Sequence, residues 1–262
     1  MNALEIENLS KSFGGFSLQS LSLSVPMGSA LGLIGENGAG KSTTISLILG
    51  QLQSDGGDIR ILGQNASENA VAFREDIGVV FDKSCFPDGL NARHVDNVER
   101  YIYKNWDSSA FYEHVRRFDL PETKPFKEYS RGMKMKLALA VALSHKAKLL
   151  LLDEATGGLD PLARDELIRE LSYFIADGEH AILLSSHIVS DIEKLCDRVA
   201  FLHKGRLILC EEKETLLAAH PGQTLEEIIV DMTRKERAAR KFEDCCSRTS
   251  SSSGHNAACS SF

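Results

Sequence analysis

Gly35-Glu36-Asn37-Gly38-Ala39-Gly40-Lys41-Ser42-Thr43 lies between two apolar runs, Ser29 to Ile34 and Thr43 to Leu49. The first run reads as a buried strand and the second as the start of a helix. The stretch fits the pattern G-x-x-x-x-G-K-[ST], and strand before with helix after is the context that gives the pattern physical meaning. The glycines let backbone N–H groups turn inward with no Cβ in the way. Those amides and the positive end of the helix form a seat for an anion. Lys41 can reach the β- and γ-phosphates of a nucleotide, and the Ser42 hydroxyl can ligate Mg²⁺. A chance glycine turn would not require the flanking strand and helix. The stretch reads as a nucleotide-binding loop, with Gly35, Asn37, Gly38, Ala39, Gly40, Lys41, Ser42 and Thr43 as its contacts.

The 262-residue chain has the composition of a globular protein, with 43% hydrophobic and 26% charged residues. Its net charge of −7 does not indicate a nucleic-acid-binding surface. No run approaches the length of a membrane span. Met1 to Leu9 carries Glu5 and Glu7 and lacks the basic start of a signal peptide. Cys85, Cys196, Cys210, Cys245, Cys246 and Cys259 form no C-x-x-C pair, which points to free thiols in a reducing compartment.

Alternation at Leu4 to Leu9 and Leu21 to Val25 predicts two half-buried strands joined through a turn at Lys11 to Gly15. Phe13 in that turn is either a staple or a flat face for a nucleobase. Asp58 to Leu62 and Ile77 to Phe81 read as strands, with Ser67 capping a short helix between them. Strand signals vanish from Lys83 to Lys148. Asn91 to Lys104, Ser108 to Phe118 and the run after Ser130 read as helices of an inserted lobe. Tyr101, Tyr103 and Trp106 in that lobe are either core or partner contacts. Leu149 to Leu152 is a fully buried strand that delivers Asp153 and Glu154 at its C-terminal edge. A turn at Gly157 to Asp160, a helix from Pro161, a strand at Ala181 to Leu184 and a helix from Ile188 follow. Lys204-Gly205 turns a hairpin, and Glu211 to Arg240 reads as charged helices.

The strand ends hold the second set of chemical groups. In a phosphate-loop protein Asp153 can hold Mg²⁺ and Glu154 can polarise the attacking water. Without that role they are two solvated acids. His187 ends the next buried strand and should emerge over the same sheet edge, within reach of a γ-phosphate; otherwise it is polar surface. Ser130, the Gly132 backbone and a helix N-terminus form either an ordinary cap or a second anion site. One nucleotide does not need two such sites in one chain, whereas two chains facing each other would use both.

From about Leu4 to Leu209 this order of motifs resembles the ATP-binding cassette (ABC) ATPases. The resemblance implies an α/β fold: a phosphate-loop NTPase (RecA-like) core with an antiparallel β subdomain and an inserted α-helical subdomain. It implies one ATPase domain over 1–242, with a nucleotide-binding core at about 1–82 and 149–215, a helical subdomain at about 83–148 and C-terminal helices at about 211–242. The Ser- and Cys-rich composition of 243–262 predicts a disordered tail. The cofactors implied are ATP and Mg²⁺. Phe13 matches the adenine-stacking aromatic, Gly35 to Thr43 the Walker A motif, Asp153 the Walker B acid, Glu154 the catalytic base and His187 the switch histidine. Ser130, Arg131 and Gly132 match the signature that closes on the partner's γ-phosphate, and Asp160 belongs to the subunit-crossing D-loop.

The chain departs from the family pattern in places. Asp82 stands where a Gln usually touches Mg²⁺ and the attacking water. It could still join Ser42 and Asp153 around the metal, but it cannot donate a hydrogen bond while ionised. Arg131 and Met133 replace the signature's second glycine and its glutamine, and Gly157 replaces the D-loop serine. The resemblance implies a motor that closes as a head-to-tail dimer, with itself or a sister ATPase subunit. It would drive a separate transmembrane permease from the cytoplasmic face of the cell membrane as a peripheral subunit. The lone cassette with Met133 is most similar to bacterial multidrug and peptide-antibiotic exporters. The alternatives are a soluble cassette ATPase of ribosomes or DNA, and a weakly hydrolysing nucleotide-dependent regulator.

Overall fold

A computed structural model describes residues 1–66, 72–82 and 86–252. The chain forms two compact units, Met1–Leu216 and Leu217–Phe262. In chain order the elements begin with β1 (Asn2–Phe13), β2 (Phe16–Pro26), β3 (Ala30–Ile34), α1 (Lys41–Ile48), β4 (Gly56–Ile61), β5 (Gln64–Asn65) and β6 (Ile77–Phe81). Then come α2 (Ala92–Ile102), α3 (Ser108–Arg117), α4 (Arg131–Leu143), β7 (Leu149–Asp153), α5 (Pro161–Ile175), β8 (Ala181–Ser186) and α6 (Val189–Leu195). The chain continues with β9 (Arg198–His203), β10 (Arg206–Glu212), α7 (Lys213–Ala219) and α8 (Leu225–Ser252).

The strands form one sheet in the order β5-β4-β1-β2-β10-β9-β3-β8-β7-β6. The β5-β4-β1-β2 end is antiparallel, while β9, β3, β8, β7 and β6 run parallel. Parallel strands are covered on both faces, so they require unbroken apolar runs. Leu149 to Leu152 and Ala181 to Leu184 supply them and are fully buried. The registers Ile34↔Ser186, Asp153↔Ser185 and Phe81↔Asp153 bring the ends of β3, β8, β7 and β6 to one sheet edge. That edge receives the phosphate loop, both carboxylates and His187.

The segment between β6 and β7 is helical, with no strand among its described residues. Asn91 caps α2 by accepting from His94 N at 3.1 Å, and Asp107 caps α3 by accepting from Ala110 N at 3.0 Å. Trp106 packs inside this lobe. Its Nε1 donates to the buried Asp96 at 2.9 Å, and its ring lies 5.2 Å from that of Phe111. Tyr103 stacks at 4.0 Å on His145, whose ring reaches both Val141 O and Ile77 O at 3.1 Å. His145 thereby ties α4 to β6.

Several elements differ from expectation. The first hairpin is longer than the alternation suggests, its turn narrowed to Gly14-Gly15 with Gly15 at φ +93°. The Ser67 cap lies outside the described residues, and Ala72–Glu75 forms only a 3₁₀ turn. Helix α8 continues to Ser252, so the backbone at 243–252 is helical where composition predicts disorder. Low hydrophobicity denies a segment a core but not its i→i−4 hydrogen bonds, and no Gly or Pro interrupts the chain before Gly254. Residues 253–262 lie outside the described part of the tail.

Candidate active site

The phosphate loop links β3 to α1. Gly38 and Gly40 take φ values of +80° and +115°, the left-handed region where glycine alone is unstrained. Gly40 is the N-cap of α1, and no side chain caps that helix. An uncapped helix leaves its first N–H groups to an outside acceptor, which suits a phosphate. Lys41 is only 4% exposed. Its ammonium donates to Gly35 O at 2.7 Å and lies 2.9 Å from Glu154 Oε1. A buried ammonium requires such partners.

Asp153 ends β7 beside α1. Its Oδ1 accepts from Ser42 Oγ at 3.1 Å and from Ser185 Oγ at 2.6 Å. A carboxylate and a hydroxyl so placed are hard oxygen donors of the kind Mg²⁺ takes beside phosphates. Glu154 sits at φ +53°, a conformation costing a non-glycine residue about 1 kcal/mol or more. Its N–H donates to Ser185 O at 3.1 Å, which helps hold the turn. The carboxylate lies between two cationic or titratable groups. Lys41 faces Oε1, and His187 Nδ1 is 2.5 Å from Oε2. The Lys41 contact is an ion pair without hydrogen-bond alignment, so Oε1 is a buried oxygen with no hydrogen-bond partner.

Phe13 ends β1 with 41% of its surface exposed. Its ring centroid is 6.3 Å from that of Phe16, and Phe16 packs where a Cβ on Gly40 would lie, 2.9 Å from Cζ. The exposed ring is thus joined to the phosphate loop through Phe16. Asp55 anchors this hairpin end, accepting from Lys11 Nζ and from Ser12 N, each at 2.7 Å. The Lys11 hydrogen bond and then the Ser12 amide hold the Asp55 carboxyl below its ordinary range.

Ser130, Arg131 and Gly132 lie elsewhere, at the start of α4. Ser130 Oγ caps the helix, accepting from Met133 N at 3.2 Å. A Cβ on Gly132 would lie 3.3 Å from Ala163 Cβ, so this corner packs on the start of α5. Asp160 caps α5, accepting from Leu162 N at 3.1 Å and Ala163 N at 3.0 Å. Those backbone bonds, the Ala163 amide first, hold its carboxyl low. Asp82, expected as a third metal ligand with Ser42 and Asp153, is engaged elsewhere. Its carboxylate forms an ion pair with Arg131.

Two contributors escaped the sequence reading. Ser185 holds both Asp153 and the Glu154 backbone, and its role follows from the Asp153↔Ser185 register, which needs the strand order. Asp55 pins the Phe13 hairpin across a span of sequence that carries no local signal.

A glycine loop uncapping a helix at the C-terminal edge of a parallel sheet, with carboxylates on the neighbouring strand, defines a nucleotide-binding phosphate-loop protein. The ABC transporter family model matches residues 18–157. The chain belongs to the ABC transporter family, as an ATP-binding subunit with the family's ATPase activity. It is 35% identical over 208 residues to the bacitracin transport ATP-binding protein BcrA of Bacillus licheniformis, covering 78% of this chain and 68% of that protein. It is 34% identical over 215 residues to the lantibiotic transport ATP-binding protein SrtF of Streptococcus pyogenes, covering 80% and 90%. The solved structure of an ATP-binding subunit of an ABC transporter superposes with a TM-score of 0.80 at 27% identity, over 88% of this chain and 99% of that one.

Proposed function

We propose that this chain is the motor of a transporter whose membrane-spanning part is a separate permease. Two cassettes, identical or sister subunits, close head to tail on two Mg-ATP, hydrolyse them and open. The observation that carries the reading is the setting of Glu154 between Lys41 and His187, beside the Ser42–Asp153 pair. Lys41, the loop glycines and the first amides of α1 hold the phosphates. Phe13 stacks on the base. Ser42 and Asp153 would hold Mg²⁺, which would supply charge neutralisation on the polyphosphate. Glu154 accepts the proton of the attacking water, and His187 fixes the carboxylate that does so.

Dimer closure is supported by the position of Ser130 and Gly132. They pack at the α4–α5 corner with Asp160 and Ala163, where a facing cassette could use them. The permease contact is supported by a cleft of about 630 Å³ with a mixed lining that includes Leu52, Phe73, Ile102 and Tyr103 beside Asp58, Arg74 and Glu75. Tyr101 and Ile102 stand 89% and 58% exposed beside it. No described helix is long and apolar enough to cross a membrane. The spanning part is proposed to be a separate subunit, with this chain at its cytoplasmic face. The names of the relatives point to transport of peptide antibiotics, a cargo class proposed here on that likeness together with an outward direction.

The test is the mass of Glu154→Gln by light scattering, with ATP and then ADP. A dimer with ATP and a monomer with ADP is expected. A monomer in both states would remove self-closure from the mechanism. Co-purification with the membrane fraction, lost in Tyr101→Glu/Ile102→Glu, tests the permease contact.

A further inference from the structure

Three residues that depart from the family pattern, Asp82, Arg131 and Gly157, meet at one point. Arg131 opens α4, where the helix dipole disfavours a cation. Its guanidinium crosses the Gly157-Gly158 turn to reach Asp82 at the end of β6. A Cβ on Gly158 would lie 2.6 Å from Arg131 Nη1, so the guanidinium rests directly on the turn, and the φ of +66° at Gly158 favours glycine there. The position of a Gly157 Cβ is 3.9 Å from Arg131 Nη2 and 3.8 Å from His187 Cε1. The pair therefore abuts the turn that follows Glu154. A cavity of about 260 Å³ opens beside it, between Asp82, Tyr129, Arg131 and Lys134. The Arg131 and Asp82 side chains are 49% and 42% exposed. An ion pair so hydrated is weak enough to be exchanged, and a guanidinium has a fork geometry that suits phosphate as well as carboxylate.

We propose that Asp82 holds Arg131 in reserve: in the nucleotide-free chain the pair latches the helical lobe to the core, and on closure Arg131 leaves Asp82 for the polyphosphate bound by the facing cassette. The latch deepens the proposed dimer mechanism and rests on it only for its second half. Asp82 acts through Arg131 as a positioning residue, and Arg131 supplies the positive charge that a glycine at its position could not.

The test uses Asp82→Asn, Arg131→Gln and the double variant, each in the full chain carrying Glu154→Gln. Without nucleotide, amide exchange at Gly132 to Lys134 is expected to rise by the same factor in all three, up to about fivefold. Additive effects, or none, would overturn the latch. With ATP, Asp82→Asn should lower the nucleotide concentration for half-maximal dimerisation about three- to tenfold, whereas Arg131→Gln should raise it by a similar factor and the double variant should follow Arg131→Gln. Opposite signs in the two single variants separate exchange of the guanidinium from a merely structural pair, which would move both the same way. If the Glu154→Gln parent stays monomeric with ATP, dimer closure fails, and the exchange measurements alone decide whether Asp82 and Arg131 latch the lobe.

Discussion

Lys41 and Glu154 form a 2.9 Å ion pair, which joins the phosphate loop to the carboxylate that follows β7. Both groups are largely buried, with side chains 4% and 18% exposed. Each would be costly to leave unpaired there. In the mechanism proposed above, a phosphate in the loop would compete for Lys41 and leave Glu154 held by His187, with one oxygen open to water.

Lys41→Ala should weaken ATP binding by roughly 10- to 100-fold, the loss of one charge-assisted contact. Calorimetric titration measures it. Unchanged affinity would remove Lys41 from the phosphate site.

His187→Ala should leave ATP affinity within about twofold and lower turnover, because Glu154 loses the hydrogen bond that orients it. Glu154→Gln should cost more, about 10²- to 10⁴-fold, because the proton acceptor itself is gone. Phosphate-release assays compare the two, and normal turnover in His187→Ala would sink its role.

Phe13→Ala should weaken ATP binding by about 1–3 kcal/mol if the ring stacks on adenine. Asp55→Ala should reproduce part of that loss by freeing the hairpin end. The folded Asp55 carboxyl is held below its unfolded value of about 3.9. Its contribution is therefore present above that value and disappears only as pH falls through the lowered one. The effect of Asp55→Ala should be the same at pH 6 and pH 8; a difference would assign it to another group.

Burial lowers the pKa of His145 below its unfolded value, despite backbone hydrogen bonds to Val141 and Ile77 that raise it. The unfolded chain then binds the proton more tightly, so stability is full above about pH 6.5 and declines below it. The slope is at most about 1.4 kcal/mol per pH unit for one proton. His114 is lowered by burial in the same direction. Urea unfolding from pH 5 to pH 8 should show the decline in the parent chain and a shallower one in His145→Gln. An identical slope in both would place the effect elsewhere.

The phosphate loop was legible because its signal is local: glycines, Lys41 and Ser42 act within one turn of backbone, between a strand and a helix that announce themselves by their apolar runs. Asp153 and Glu154 were legible for the same reason, at the end of four buried leucines. The lobe was visible as a loss of strand signals, and Asp107 as its cap. At 243–252 composition predicts disorder where the backbone is helical, because composition reports the lack of a core and not helical hydrogen bonds. What tertiary structure alone decided are the relations across the sheet edge and between lobe and core. The parallel register set Ser185 against Asp153, a left-handed turn aimed Glu154 between Lys41 and His187, and the meeting of α4 with β6 paired Asp82 with Arg131. Those pairings depend on strand order and packing, which bring together residues 32 to 113 positions apart in the chain, too far for any local pattern to record.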